Sequence, residues 1–223
     1  MTESSGGKLW FIVGFAAFFA ALWFFWDTSL VYPLKIFVVL LHEISHAIAS
    51  VATGGGIEKI TLDPRQGGAC HCFGGNAFIT LSAGYLGSLL WGGAMFSAAR
   101  SDKVKTSWVN GFIGAMVVAL TVFFVRGGFG MIFGIAFGLT MIFVSKQMGS
   151  AVNRGLLLTL GLTSALYAIL DIKSDVLDRP NIQSDAAMLS EITGVSTTIW
   201  GLIWISIAIA VSVWLMRRAY KDA

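Results

Sequence analysis

The stretch that decides the fold is residues 36–52, IFVVLLHEISHAIASVA, in which two histidines and a glutamate interrupt a mostly apolar run. Extended back to Tyr32 or Pro33, a residue well placed at a helix start, the run reaches the ~20 residues that a membrane-spanning helix needs. A charged group near the centre of a bilayer costs about 2.5–3.5 kcal/mol, so such groups usually mark function. The stretch therefore predicts a transmembrane helix that carries a functional site.

The composition of the whole chain also indicates an integral membrane protein. Of its 223 residues, 56% are hydrophobic and 12% are charged, whereas soluble domains average about 25% charged residues. The net charge of +3 comes from basic residues scattered at the ends of apolar runs, which is typical of membrane proteins. We therefore expect a lipid bilayer around the chain, no nucleic-acid partner, and a single membrane domain over residues 1–223.

Seven apolar segments predict transmembrane helices, so the expected fold class is an all-α, polytopic transmembrane helix bundle. Their limits are residues 9–26, 32–52, 77–99, 109–125, 129–144, 156–172 and 197–216. We interpret the first as a retained span or signal anchor. Only Arg126-Gly127-Gly128 separates the fourth from the fifth, which indicates an antiparallel hairpin or one broken helix. The stripe of Gly130, Gly134 and Gly138 favours close helix packing within the chain.

Two connections between the spans have distinctive sequences. Residues 53–76 are Gly-rich and contain the strand-like segment 57–62 followed by a turn at 63–66, which predicts a short strand-like insertion after the second span. Such an insertion must pack on protein or line a wet cavity. Residues 173–196 predict a short helix over 186–193, capped by Ser184 or Asp185 and ended by Gly194.

The placement of Lys and Arg predicts the orientation of the chain. If all seven segments cross the membrane, one side of it carries the basic residues at 100–105, Lys146 with Arg154, and the basic C-terminal tail. That side should be cytoplasmic, which puts the C-terminus in the cytoplasm. Residues 53–76 and 173–196 should then face the opposite compartment.

His42, Glu43 and His46 form the arrangement that carries chemistry. Residues four apart project from the same face of a helix, so His42 and His46 can bind one Zn²⁺. Glu43 lies about 100° further around the helix, where it is placed to act as general base toward a water that the metal activates. The H-E-x-x-H pattern also occurs by chance, but two of only 3 histidines in the chain fall at this spacing.

Residues 40–49, LLHEISHAIA, followed by Gly54-Gly55-Gly56 and a strand-like segment, resemble the site-2 protease family. More narrowly, they resemble its small M50-class B-like bacterial and plant branch. Weaker likenesses are LSAGYLGS at 81–88, SDAA at 184–187 and WGLIW at 200–204. The resemblance implies a zinc metallopeptidase, in a bacterial plasma membrane, that cleaves membrane protein or peptide substrates.

Either of two aspartates could be the third metal ligand. A catalytic zinc usually has three protein ligands, and in the wider site-2 protease family the third is an Asp in a Leu-Asp-Gly motif that this sequence lacks. Asp185 follows Asn181 and opens a predicted helix, as the family's Asp does, or it is only a helix cap. Asp171 keeps the Leu-Asp pair, or it is only a carboxylate at a helix end. We favour Asp185.

Other readings remain open. The same metal site in a non-proteolytic membrane protein is one alternative, and an ion transporter that uses His and Glu as a path is another. We interpret Cys70-His71-Cys72 as a polar loop segment, because its ligands are too close together to complete a metal site. A disulfide between these two cysteines is not expected, since residues two apart are poorly placed to form one.

Overall fold

The protein forms a helical bundle with one small sheet. A computed structural model describes residues 3–25, 28–178 and 183–221. The described residues form eight α-helices: α1 (Glu3–Phe24), α2 (Tyr32–Ala52), α3 (Ala77–Arg100), α4 (Thr106–Phe124), α5 (Gly128–Gln147), α6 (Ser150–Lys173), α7 (Asp185–Thr193) and α8 (Thr197–Lys221). A π-helical turn, Ser174–Asp178, continues α6. The strands are β1 (Gly56–Asp63), β2 (Gly67–Phe73) and β3 (Val125–Arg126).

A helix lies at each of the seven predicted spans. Six of them, α2 to α6 and α8, are long and apolar enough to cross a membrane. For α1 the apolar stretch found within the described residues is shorter, Val13–Phe24, and the predicted end at Trp26 lies outside those residues. The prediction of a polytopic transmembrane bundle with a strand insertion is confirmed, and the chain is an integral membrane protein.

Helix α2 is the central helix of the bundle. Ile36, Phe37, Leu40 and Leu41 are fully buried, and 83% of its apolar stretch is enclosed by other parts of the chain. The Phe37 ring stacks on that of Phe137 in α5, with centroids 4.6 Å apart. Helices α3, α5 and α6 and the strands β1 and β2 all contact α2. The polar residues of α2 are consequently held in the interior of the protein rather than against lipid.

The Gly-rich segment after α2 forms the predicted hairpin. Strands β1 and β2 pair antiparallel, and Gln66 in their turn has a left-handed φ of 71°. The Asp63 carboxylate accepts hydrogen bonds from the Arg65 side chain and main chain, which hold the pKa of that carboxyl below its ordinary value. Strand β3, which was not predicted, pairs parallel with β1. The sheet order β2-β1-β3 leaves β2 at one edge, beside α2.

Glycines set the close helix contacts. An added Cβ at Gly138 would lie 2.8 Å from the Gly114 carbonyl oxygen, and one at Gly114 would lie 2.7 Å from the Gly138 carbonyl oxygen. An added Cβ at Gly134 would overlap the Thr121 side chain. The glycine stripe therefore packs within the chain, and α4 and α5 form an antiparallel hairpin rather than one broken helix.

The crossing of α3 and α6 provides a test of this packing. An added Cβ at Gly161 would lie 2.8 Å from the Phe96 main-chain nitrogen and 2.9 Å from the Gly92 carbonyl oxygen. Because main-chain atoms cannot turn aside, we expect Gly161→Ala to lower the free energy of unfolding by about 1–3 kcal/mol. Thermal unfolding in detergent measures the effect. Gly155→Ala is the matched control, since nothing lies within 4 Å of that Cβ position on the same helix. Equal unfolding temperatures for the two variants would contradict this close crossing.

Candidate metal centre

Two side chains of α2 and one side chain of α7, a helix distant in sequence, come together in the interior. His42 Nε2 lies 3.0 Å from Asp185 Oδ2, and His46 Nε2 lies 3.1 Å from the same oxygen. Their potential ligand atoms all lie within 4.8 Å of one another. The His42 and His46 residues are 8% and 6% exposed. The spacing of four residues on α2 therefore brings both imidazoles to one side, and α7 supplies the carboxylate.

Hydrogen bonding at the far side of the His46 ring sets its tautomer. His46 Nδ1 lies 2.6 Å from the Thr80 carbonyl oxygen, which can only accept, so Nδ1 donates its proton there. In the neutral ring Nε2 then points a lone pair at Asp185. Two electron-pair donors 3.1 Å apart repel each other unless a proton or a cation is shared between them. Two imidazole nitrogens and one carboxylate oxygen fit the three-ligand set of a catalytic zinc site.

Asp185 is free to face the histidines because its neighbour caps the helix. The Ser184 hydroxyl accepts a hydrogen bond from the Ala187 amide at 3.3 Å, and Gly194 ends α7 in the left-handed conformation. Burial opposes ionisation of the Asp185 carboxyl, but the adjacent His46 and His42 imidazoles hold its pKa below the ordinary value. An ionised carboxylate is the form that binds metals.

The other predicted aspartate, Asp171, also lies near the centre but on a different side. Its Oδ2 is 3.8 Å from His42 Nδ1, the ring nitrogen that faces away from Asp185. Asp171 is not part of the group of three whose ligand atoms converge. Asp185 thus contacts both histidines through Nε2, whereas Asp171 approaches only one of them.

Glu43 lies against the hairpin rather than in the cluster of donors. It is 5% exposed, and its carboxylate lies beside the main chain of Cys70 in β2. An added Cβ at Gly68 would lie 2.7 Å from Glu43 Oε1 and 2.9 Å from Val39 Cγ1. Strand β2 can approach the carboxylate this closely because residue 68 has no side chain.

A cavity of about 530 Å³ opens onto these groups. Glycines 67 and 68 of β2 line one wall, as expected for an insertion that borders a wet cavity, and Asp171 and Asp175 line another. Arg65 and Gln66, in the turn of the hairpin, also border it. The Arg65 side chain is 90% exposed, which indicates that this turn lies at the mouth. The cavity gives solvent a route to Glu43.

Some residues around the centre were not predicted from the sequence. An added Cβ at Gly84 would overlap Nε2 of both His42 and His46, so this glycine of α3 keeps open the space that the two nitrogens face. The Tyr85 ring packs edge-on against His42, with centroids 5.0 Å apart. In the sequence both residues appeared only within LSAGYLGS at 81–88, a weak likeness to the family. A main-chain acceptor such as the Thr80 carbonyl has no sequence signal at all.

The expectation for Cys70 and Cys72 was wrong. The two residues lie in strand β2, not in a loop, and their sulfurs form a disulfide, with Cα atoms 5.7 Å apart. Alternate residues of a strand point to the same face, and this Cα separation is within the usual range for disulfides. His71, between them, is exposed and outside the donor cluster.

Comparison with known proteins agrees with the geometry. The chain matches the family described as Peptidase M50B-like over residues 15–215, which includes α2, α7 and most of α8. No curated protein and no solved structure matches the chain. Since the match covers nearly the whole sequence, the chain belongs to the Peptidase M50B-like family, within the site-2 protease group that its histidine motif indicated.

Proposed function

We propose that the protein is a zinc-dependent endopeptidase that cleaves membrane-associated substrates within the bilayer. The observation that carries the proposal is the convergence of His42, His46 and Asp185 at the wall of a polar cavity inside a membrane protein. These three residues would hold the metal, with Asp171 left out of the ligand set. When bound, Zn²⁺ acts as a Lewis acid and makes a neighbouring water more acidic.

Glu43 is the proposed general base. Its carboxylate accepts a proton from the attacking water and later donates it to the nitrogen of the departing amine. Its position about 100° around α2 from His42 keeps it out of the ligand set. Both Glu43 and Cys70 line the cavity, which puts the carboxylate where water can reach it.

Strand β2 is suited to present a peptide to Glu43. It is an edge strand of the sheet, it lines the cavity, and its Cys70 main chain lies beside Glu43. An extended peptide can add to such an edge through main-chain hydrogen bonds, which accept many sequences. A substrate helix would have to unwind locally to bind this way. We also propose, from the resemblance and the distribution of basic residues, that the protein lies in a bacterial plasma membrane with its C-terminus in the cytoplasm.

Metal content tests the proposal directly. Wild-type protein purified without chelator should carry one zinc per chain, and His42→Ala should carry almost none, because a site with two ligands binds zinc far more weakly than one with three. His71→Ala is the matched control, since this third histidine lies outside the donor cluster. Elemental analysis of the detergent-solubilised proteins measures the ratio.

Two outcomes would favour other functions. Equal zinc content in wild type and His42→Ala would contradict the proposed metal site and favour the alternative of an ion transporter. Zinc lost in His42→Ala, without any cleavage of membrane substrates by the wild type, would favour a metal protein that has no peptidase activity.

A further inference from the structure

The two histidines of the candidate metal centre differ in what faces their second ring nitrogen. His46 Nδ1 donates to the Thr80 carbonyl at 2.6 Å. His42 Nδ1 instead faces a carboxylate, with Asp171 Oδ2 3.8 Å away. The side chains of His42 and Asp171 are 11% and 19% exposed, so protein covers most of this pair at the wall of the cavity. A buried carboxylate beside an imidazole N–H is the arrangement that orients metal-binding histidines in many proteins.

We propose that Asp171 is a positioning residue for His42. Its carboxylate accepts the Nδ1 proton of the imidazole and so fixes the tautomer in which the Nε2 lone pair faces Asp185. The inference rests on the proposed function, because it assigns a role relative to a metal held by His42, His46 and Asp185. The 3.8 Å separation exceeds that of a closed hydrogen bond, and a small rotation of either side chain, or a bridging water, completes the contact.

The geometry separates this role from that of a ligand. A ligand must reach the space that both Nε2 atoms face, which Asp185 does from 3.0 and 3.1 Å. Asp171 approaches the opposite edge of the His42 ring and, in the part of the chain that the structure describes, lies outside the group whose ligand atoms converge. The next carboxylate on the same side, Asp175, accepts a hydrogen bond from the Tyr85 hydroxyl at 2.9 Å. Asp171 is therefore the carboxylate directed at His42 Nδ1.

Zinc affinity and the spectrum of the cobalt-substituted protein test the assignment in the full-length protein. Asp171→Ala should weaken zinc binding about ten- to a hundredfold, as for other residues that orient metal-binding histidines, and still bind one metal per chain when metal is in excess. Asp171→Asn should recover much of the affinity, because its amide oxygen still accepts from Nδ1. The visible cobalt bands should shift in Asp171→Ala and return toward the wild-type position in Asp171→Asn.

Two further variants separate the possible failures. Asp175→Asn is the neighbouring control and should keep the wild-type zinc affinity, whereas Asp185→Ala should lose the cobalt bands. If Asp185→Ala binds zinc like wild type, the proposed metal site itself is wrong. If Asp185→Ala loses the metal but Asp171→Ala keeps the wild-type affinity and spectrum, only the role of Asp171 is wrong. If Asp171→Ala cannot be filled even by excess metal, Asp171 is a ligand and not a positioning residue.

Discussion

Glu43→Gln should abolish most peptide cleavage while leaving one zinc per chain in place. The amide has nearly the same shape as the carboxylate but cannot take a proton from water, and a positioned general base contributes about 10²- to 10⁴-fold to a rate. The three proposed ligands are untouched, so metal content should match that of wild type. Cleavage of a membrane-embedded substrate in reconstituted vesicles, scored alongside elemental analysis, measures both quantities on one preparation.

Glu58→Gln is the control for this substitution. Glu58 lies on β1 with a side chain 66% exposed, so its loss should change neither zinc nor rate. A Glu43→Gln protein that cleaves at the wild-type rate would show that another group is the base. A Glu43→Gln protein that loses its zinc would show instead that Glu43 helps to hold the metal.

Gly84→Ala should lose zinc almost completely although it alters no ligand. The new methyl group would occupy the space that both histidine Nε2 atoms face, so the imidazoles and the metal cannot keep their positions. Helix α3 is packed against α2, which limits how far the main chain can retreat, and overpacking of this kind costs about 1–3 kcal/mol. Zinc content and thermal unfolding temperature should therefore both fall.

Gly93→Ala on the same helix separates this steric effect from any general effect of alanine in α3. Its Cβ would make only an ordinary contact of 3.4 Å with Leu215 Cδ1. We expect wild-type zinc and an unfolding temperature at or slightly above that of wild type. Full zinc occupancy in Gly84→Ala would mean that the metal does not lie on the α3 side of the two imidazoles.

The helices could be predicted because lipid leaves a strong signal in the sequence. Each span must be a long apolar run, and the hairpin of residues 56–73 is marked by glycines around a strand-like segment. Strand β3 has no such signal in the sequence. It has only two residues, and they pair with β1 because the turn between α4 and α5 lies next to that strand. The disulfide was missed for a similar reason: residues 70–72 were assigned to a loop, and only as a strand do their two cysteines share a face.

The candidate site likewise contains residues that sequence spacing predicts and residues that only the packing of distant helices brings in. His42, Glu43 and His46 lie within one and a half turns of one helix, so their spacing alone determines which side chains share a face. The choice between Asp185 and Asp171 depends on how α6 and α7 return to α2, which no local pattern specifies. Gly84 and the Thr80 carbonyl contribute space and a main-chain acceptor, and neither carries a chemical signature.

The donor set is assembled from parts of the chain that are synthesised at very different times. Asp185 follows His42 by 143 residues. A nascent chain already inserted through α6 thus holds both imidazoles and Glu43 but not Asp185. Full metal binding, and with it the proposed peptidase activity, would arise only once translation has passed α7.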